Sequence, residues 1–116
     1  MTTYKRGQVV SVSFPFSDLS SVKRRPALVV SSDGLNIVRQ DVVLVAITSQ
    51  ISAQLAEDEF MVPAGELAQW GLVKPSMLKL TKLFAIYPGL IHKQLGQAPA
   101  ATLEVILRRL QKQFEP

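Results

Sequence analysis

Short apolar stretches recur along the chain, and most of them show the two-residue alternation of a β-strand. In residues 7–16 (GQVVSVSFPF), Val10, Val12 and Phe14 alternate with serines, which predicts a strand with one buried face. Residues 41–48 (DVVLVAIT) form the most apolar stretch, so we expect this strand at the centre of a sheet. The other predicted strands are residues 26–32, 57–62, 77–80 and 83–87.

The last segment changes to a helical period. Within residues 102–114, apolar side chains recur at three- and four-residue intervals, which predicts an amphipathic helix. Residues 17–23 and Asp33-Gly34 have the composition of turns, and residues 64–70 favour a single helical turn stopped by Gly71. Short strands followed by a closing helix predict a mainly β fold with a C-terminal helix. We expect a small barrel in one domain, residues 1–116.

Composition narrows the function classes. The 116 residues include no cysteine and one histidine, which excludes a disulfide framework, a thiol nucleophile and a multi-histidine metal site. We therefore expect no metal or other cofactor. No apolar run reaches the roughly 20 residues of a membrane span and the start lacks signal-peptide features, so we expect a cytoplasmic protein with no membrane partner. A net charge of +4 is a weak pointer to nucleic acid.

Two polar stretches next to apolar strands are candidates for chemistry. Lys23, Arg24 and Arg25 directly precede Pro26, and arginine offers a planar set of donors that suits phosphate oxygens. The same run also fits a solvated loop that keeps a strand edge soluble. Both interpretations stay open at this point.

The second stretch, Thr48-Ser49-Gln50, follows the most apolar strand. A strand end carries side chains out of a rigid core, and two hydroxyls with a carboxamide offer donors and acceptors for phosphates or base edges. An ordinary polar strand exit explains the same residues.

Several further residues admit both a functional and a structural interpretation. Lys74, Lys79 and Lys82 would line a phosphate track or serve solubility, and Ser76 after Pro75 is a site donor or a turn residue. The remaining candidates favour structural roles: Phe14 and Phe16 in the core or barrel rim, His92 as a structural or surface residue, Trp70 as a packing anchor or interface residue, and residues 57–59 (EDE) as a solvated loop.

These residues stand in blocks that resemble the MazF/PemK family of toxin endoribonucleases. Five blocks follow in the family's order and cover nearly the whole chain, and the most specific are the K-x-RPALVV and TSQ segments. The blocks are GQVVSVSFPFSD (7–18), KRRPALVVSS (23–32), DVVLVAITSQ (41–50), GLVKPSMLKLTKL (71–83) and LG…LEVILRRL (95–110).

The resemblance implies an SH3-like β-barrel with a C-terminal helix, usually a homodimer. It implies metal-independent, sequence-selective cleavage of single-stranded RNA, and neutralisation by a cognate antitoxin whose disordered tail lies across the substrate groove. An alternative is a catalytically inert module of the same fold that binds RNA or a protein such as a gyrase subunit.

The resemblance also implies the site. The family's catalytic arginine matches Arg25 and its catalytic hydroxyl residue matches Thr48, while residues 74–76 match a segment that lines the groove. The chain departs from some members in residues 17–23, which contain Asp18 but no histidine. The residues expected to bind RNA are Lys23, Arg24, Ser49, Gln50, Lys74, Ser76 and Lys79.

Overall fold

Antiparallel strands dominate the computed structural model, which describes residues 3–14 and 23–116. The strands are β1 (Gln8–Phe14), β2 (Lys23–Val29), β3 (Val42–Thr48), β4 (Glu59–Met61), β5 (Met77–Ile86) and β6 (Ile91–Gln97). The helices are α1 (Asp33–Val38), α2 (Leu67–Trp70) and α3 (Ala100–Lys112), with 3-10 turns at Ala64–Glu66 and Pro88–Leu90. Within these two ranges, no helix has the length and apolar character needed to cross a membrane.

The six strands form one sheet in the order β4-β5-β3-β2-β1-β6, with every neighbouring pair antiparallel. The predicted mainly β class, the interior position of β3 and the C-terminal helix are confirmed. In the described part of the chain the hydrogen-bonded ladders leave β4 and β6 as edges. Closure of the sheet into a barrel is therefore not confirmed.

Each face of the sheet carries its own apolar cluster, because successive side chains of a strand point to opposite faces. One cluster contains Leu28 and Val45 and is covered by α3 through the fully buried Ile106. The other contains Ala27 and Leu44. Burial on both faces pins the register of the central strands, since a slip by one residue would exchange the two faces.

The structure corrects three local predictions. Where Asp33-Gly34 predicted a turn, α1 forms, because the Ser32 hydroxyl accepts a 3.2 Å hydrogen bond from the Leu35 N–H at the helix start. The two strands predicted at 77–80 and 83–87 are one strand, β5, with a register shift between them. Strand β6 was not predicted at all, because it lies at an edge and its exposed residues hide the alternation.

Two of the sequence predictions fall outside the described residues. They are the polar turn, of which residues 17–22 are not described, and the placement of Phe16.

The Glu104–Arg108 pair on α3 forms as the four-residue spacing predicts.

Helix α2 packs directly on β6 through two glycines. Gly71 ends α2 with a φ of +77°, in the left-handed region that glycine adopts at a helix end. A Cβ atom on Gly96 would lie 2.4 Å from the Gln69 carbonyl oxygen. This close approach seats the Trp70 ring in the core with no exposed surface, so the expected alternative role of Trp70 at a protein interface is wrong.

We predict that Gly96→Ala destabilises the protein by about 1–3 kcal/mol, because the methyl group forces two backbones apart. Urea unfolding followed by circular dichroism measures the change. Gly65→Ala is the matched control, since a Cβ there meets nothing within 4 Å. Equal stabilities of the two variants would contradict the close packing of α2 on β6.

Candidate functional site

The topology gathers the candidate residues at one end of the sheet. Because neighbouring strands are antiparallel, the beginning of β2, the end of β3 and the beginning of β5 lie side by side. The candidates sit at these ends: Lys23, Arg24 and Arg25 begin β2, Thr48 ends β3, Ser49 and Gln50 follow it, Lys74 and Ser76 precede β5, and Lys79 is the third residue of β5.

The register of β2 and β3 predicts that Arg25 and Thr48 lie at one level and on one face at this end. The pairing of the two strands sets Ala27 opposite Ala46, and this register, continued two residues beyond the ladder, would set Arg25 opposite Thr48. Arg25 lies two residues from Ala27, and Thr48 lies two residues from Ala46. Because side chains alternate along a strand, both would project from the same face of the sheet. Directly opposite residues have Cβ atoms about 5 Å apart, so these two side chains can reach one ligand atom group.

Thr48 is positioned to donate a hydrogen bond. Its Oγ1 accepts from the Gln50 backbone N–H at 3.1 Å, which orients the hydroxyl at the strand end. A hydroxyl has one proton and two lone pairs, so the Thr48 proton stays available to a ligand. The Thr48 side chain is half-buried, whereas Arg25 is exposed.

The three basic residues of β2 do not form a single cluster. Strand alternation places Lys23 on the face of Arg25 and Arg24 on the opposite face. Arg24 instead bonds His92 of β6, with Nη1 3.2 Å from Nε2. A guanidinium only donates, so Nε2 is the acceptor of this contact.

His92 reaches Arg24 because it lies in a β-bulge. The register jumps from Val12 opposite Ile91 to Ser11 opposite Lys93, which leaves His92 without a cross-strand partner. A bulge re-aims the extra side chain. The sequence favoured a structural or surface role for His92, and nothing local in it signals the contact with Arg24, since the two residues are 68 positions apart.

Ser76 stabilises the turn that carries Lys74. It is buried, and its hydroxyl donates to the Lys74 carbonyl at 2.9 Å. Its proton is therefore committed to the turn that presents Lys74, whose side chain is exposed. This geometry assigns Ser76 a positioning role and leaves Lys74 as the group that faces solvent.

Lys79 has an acidic partner that the sequence did not indicate. Its Nζ lies 3.9 Å from Glu59 Oε2, and the two residues are opposite each other on β5 and β4. The predicted solvated loop at 57–59 is thus wrong at Glu59, which is 7% exposed. The strand predicted at 57–62 is confirmed over Glu59–Met61, and it is this strand that sets Glu59 opposite Lys79.

The candidate residues lie away from two cavities found in the described part of the chain. These cavities have volumes of about 520 and 320 Å³ and lie around α1, the Pro88–Leu90 turn and the end of α3. Neither is lined by a candidate residue. Exposed cations on a sheet end suit a long polyanion better than a small enclosed ligand.

Comparison with known proteins places the chain in a family. A family model described as PemK-like, MazF-like toxin of type II toxin-antitoxin systems matches residues 5–114. No curated protein sequence gives a significant match.

Several solved structures share the fold. A MazE–MazF complex from Deinococcus radiodurans contains a chain with TM-score 0.75 and 23% identity, over 97% of this chain and 96% of that one. A mycobacterial endoribonuclease in complex with its cognate antitoxin has TM-score 0.74 and 19% identity, over 94% and 92%. The Mycobacterium tuberculosis toxin MazF-mt6 has TM-score 0.73 and 18% identity, over 92% and 95%. At these identities the likeness establishes the fold.

We predict that Ser76→Ala lowers the free energy of unfolding by about 1 kcal/mol, because the Lys74 carbonyl loses its donor. Urea unfolding measures it. The control is Ser49→Ala, which removes an exposed hydroxyl of the same size and should change stability by less than about 0.5 kcal/mol. A Ser76 variant as stable as the control would mean that this hydroxyl does not hold the turn.

Proposed function

The chain belongs to this family of PemK-like, MazF-like toxins, and on that premise we propose that it is an endoribonuclease that cleaves single-stranded RNA. The observation that carries the proposal is the register of β2 and β3, which, continued beyond Ala27 and Ala46, brings Arg25 level with Thr48. A guanidinium and a hydroxyl proton that converge on one phosphate are what an RNA-cleaving site needs when the phosphate oxygens gain negative charge.

The proposed reaction is attack of a ribose 2′-oxygen on the adjacent phosphorus. The 2′-oxygen–phosphorus bond forms, the bond from phosphorus to the 5′-oxygen breaks, and the products end in a 2′,3′-cyclic phosphate and a 5′-hydroxyl. The proton leaves the 2′-hydroxyl and one arrives at the departing 5′-oxygen. Metal independence is part of the proposal.

In this scheme Arg25 and Thr48 act on charge and orientation. Arg25 donates to the phosphate oxygens that become more negative in the transition state. Its guanidinium stays protonated at any physiological pH, so it does not take the 2′-hydroxyl proton. Thr48 directs its free proton at a phosphate oxygen, while one of its two lone pairs accepts from the Gln50 N–H and orients the hydroxyl.

The surrounding residues would bind the RNA on either side of the cut. Lys23 and Lys74 are exposed at the same end and supply phosphate contacts, while Ser49 and Gln50 offer neutral donors and acceptors to base edges. Arg24 would contact the strand from the opposite face of the sheet. Single strands suit such a surface because their bases are free to be read one at a time.

Partners and architecture complete the proposal. Solved relatives include a MazE–MazF complex and an endoribonuclease in complex with its cognate antitoxin, and we infer that a cognate antitoxin covers the cationic end of this chain. We further propose a cytoplasmic homodimer with an SH3-like barrel. The two register shifts between β1 and β6 support the barrel, because a bulge bends a strand and increases its twist.

We predict that Arg25→Ala lowers RNA cleavage by about 10²–10³-fold, because the transition-state charge loses its main donor. Purified protein is incubated with a long single-stranded RNA in EDTA, and fragments ending in 2′,3′-cyclic phosphate are counted. Lys5→Ala is the control, an exposed cation at the other end of β1, and should cut at the wild-type rate.

Two outcomes would contradict the nuclease. If Arg25→Ala cuts at the wild-type rate, Arg25 has no part in the mechanism. RNA that is retarded on a gel but stays intact with wild-type protein favours an inert binding module of the same fold.

A further inference from the structure

A buried acid and a half-exposed base lie next to the catalytic pair on the same face of the sheet. Thr48 is opposite Met77, and Lys79 follows two residues later on β5. Such diagonal neighbours have Cα atoms about 7–8 Å apart, within reach of a lysine side chain. Beyond Lys79, on β4, lies Glu59.

The charges of this pair argue against a phosphate contact at Lys79. The Glu59 carboxylate lies 3.9 Å from Nζ and offsets much of the positive field that a phosphate would meet. A phosphate placed there would also approach the carboxylate itself. The pair therefore differs from the exposed Lys23 and Lys74, which have no acidic partner among the described residues.

The pair has unused hydrogen-bonding capacity. Glu59 Oε1 accepts a 2.8 Å bond from the Ala56 N–H, but the partners of Oε2 are the Ser52 hydroxyl at 3.5 Å and Lys79 at 3.9 Å. A hydroxyl bonded to a carboxylate normally lies at 2.5–2.7 Å. Oε2 thus has room for a closer donor, and Nζ has protons for an acceptor.

The segment that covers Glu59 is held to it by few contacts. Residues 49–57 are themselves exposed, while Glu59 is 7% exposed. Their side-chain contact with Glu59 is the long Ser52 hydroxyl bond, which a stronger donor displaces at little cost.

We propose that Glu59 and Lys79 form a subsite for the edge of an unstacked nucleobase, beside the linkage held by Arg25 and Thr48. Oε2 accepts from a ring N–H while Nζ donates to the neighbouring carbonyl oxygen. Guanine and uracil present that pair of groups, so the subsite prefers a keto base. The inference rests on the proposed function, since it places the base next to the cleaved linkage.

The test is cleavage of an RNA pool with randomised sequence, followed by sequencing of the new ends. We expect wild-type protein to enrich guanine or uracil about 10-fold at one position beside the cut, the discrimination typical of a paired base contact. Glu59→Gln and Lys79→Gln should both lose the enrichment at that position and keep the preferences at the others. Lys5→Ala is the control and should match wild type.

Salt dependence separates a base contact from a phosphate contact. If Lys79 reads a base, the slope of log affinity against log salt is the same for Lys79→Gln and wild type. A lost phosphate contact would reduce that slope by about 0.7, and this result would overturn the proposal. Lys74→Gln is the positive control, because its exposed ammonium is proposed to bind phosphate.

The remaining outcomes are decisive as well. Unchanged base preferences in both variants, or loss of an adenine or cytosine preference, would overturn the subsite. If the Glu59→Gln variant does not fold, the Lys79→Gln variant alone tests the proposal. If the wild-type protein cuts no RNA, the nuclease proposal is refuted. The same RNA pool is then selected for binding. If both variants keep the preference for keto bases in that selection, the subsite is refuted.

Discussion

The pairing of β2 with β3 is the constraint on which the site depends. Ala27 opposite Ala46 sets the register, and apolar burial on both faces holds it, because Leu28 packs into one cluster and Val29 into the other. A slip by one residue would move every side chain of β2 to the wrong face. The hydrogen-bonded ladder between β2 and β3 ends at Ala27, because Pro26 has no N–H to donate.

This constraint explains how a rigid sheet places groups for chemistry. The core holds the backbone, and the last residues of each strand carry polar side chains into solvent at fixed spacing. Donors that are already in place need no reorganisation when charge develops, which is the main source of electrostatic catalysis. Alternation along β2 also separates the two arginines, because Arg24 bonds His92 on one face of the sheet while Arg25 projects from the other.

Local pattern predicted the parts of this fold that local forces decide. β3 is apolar enough to require an interior position, and α3 has a helical stripe, so both were predictable. The beginning of β2 and the end of β3 were candidates because polar residues adjoin an apolar run at each of them. The resemblance to a family added the pairing of Arg25 with Thr48, which no spacing rule contains.

Features that depend on distant partners were beyond sequence reasoning. β6 is recognisable through its pairing with β1, and its own residues are mostly polar and exposed. The burial of Glu59 depends on Lys79 and on the segment folded over it. The contact between Arg24 and His92 requires a bulge created by a register shift, and a single sequence carries no record of register between strands.

The central claim is that Arg25 and Thr48 act on one phosphate, and a double-mutant cycle on cleavage rate tests it most directly. Thr48→Val removes the hydroxyl and keeps the branched shape, and Thr48→Ser is the control that retains the hydroxyl. Groups that act as a unit are strongly non-additive, so the account predicts that Arg25→Ala combined with Thr48→Val cuts within about 10-fold of the slower single variant. Losses that multiply across the two positions would show that the two groups work independently and would contradict the account.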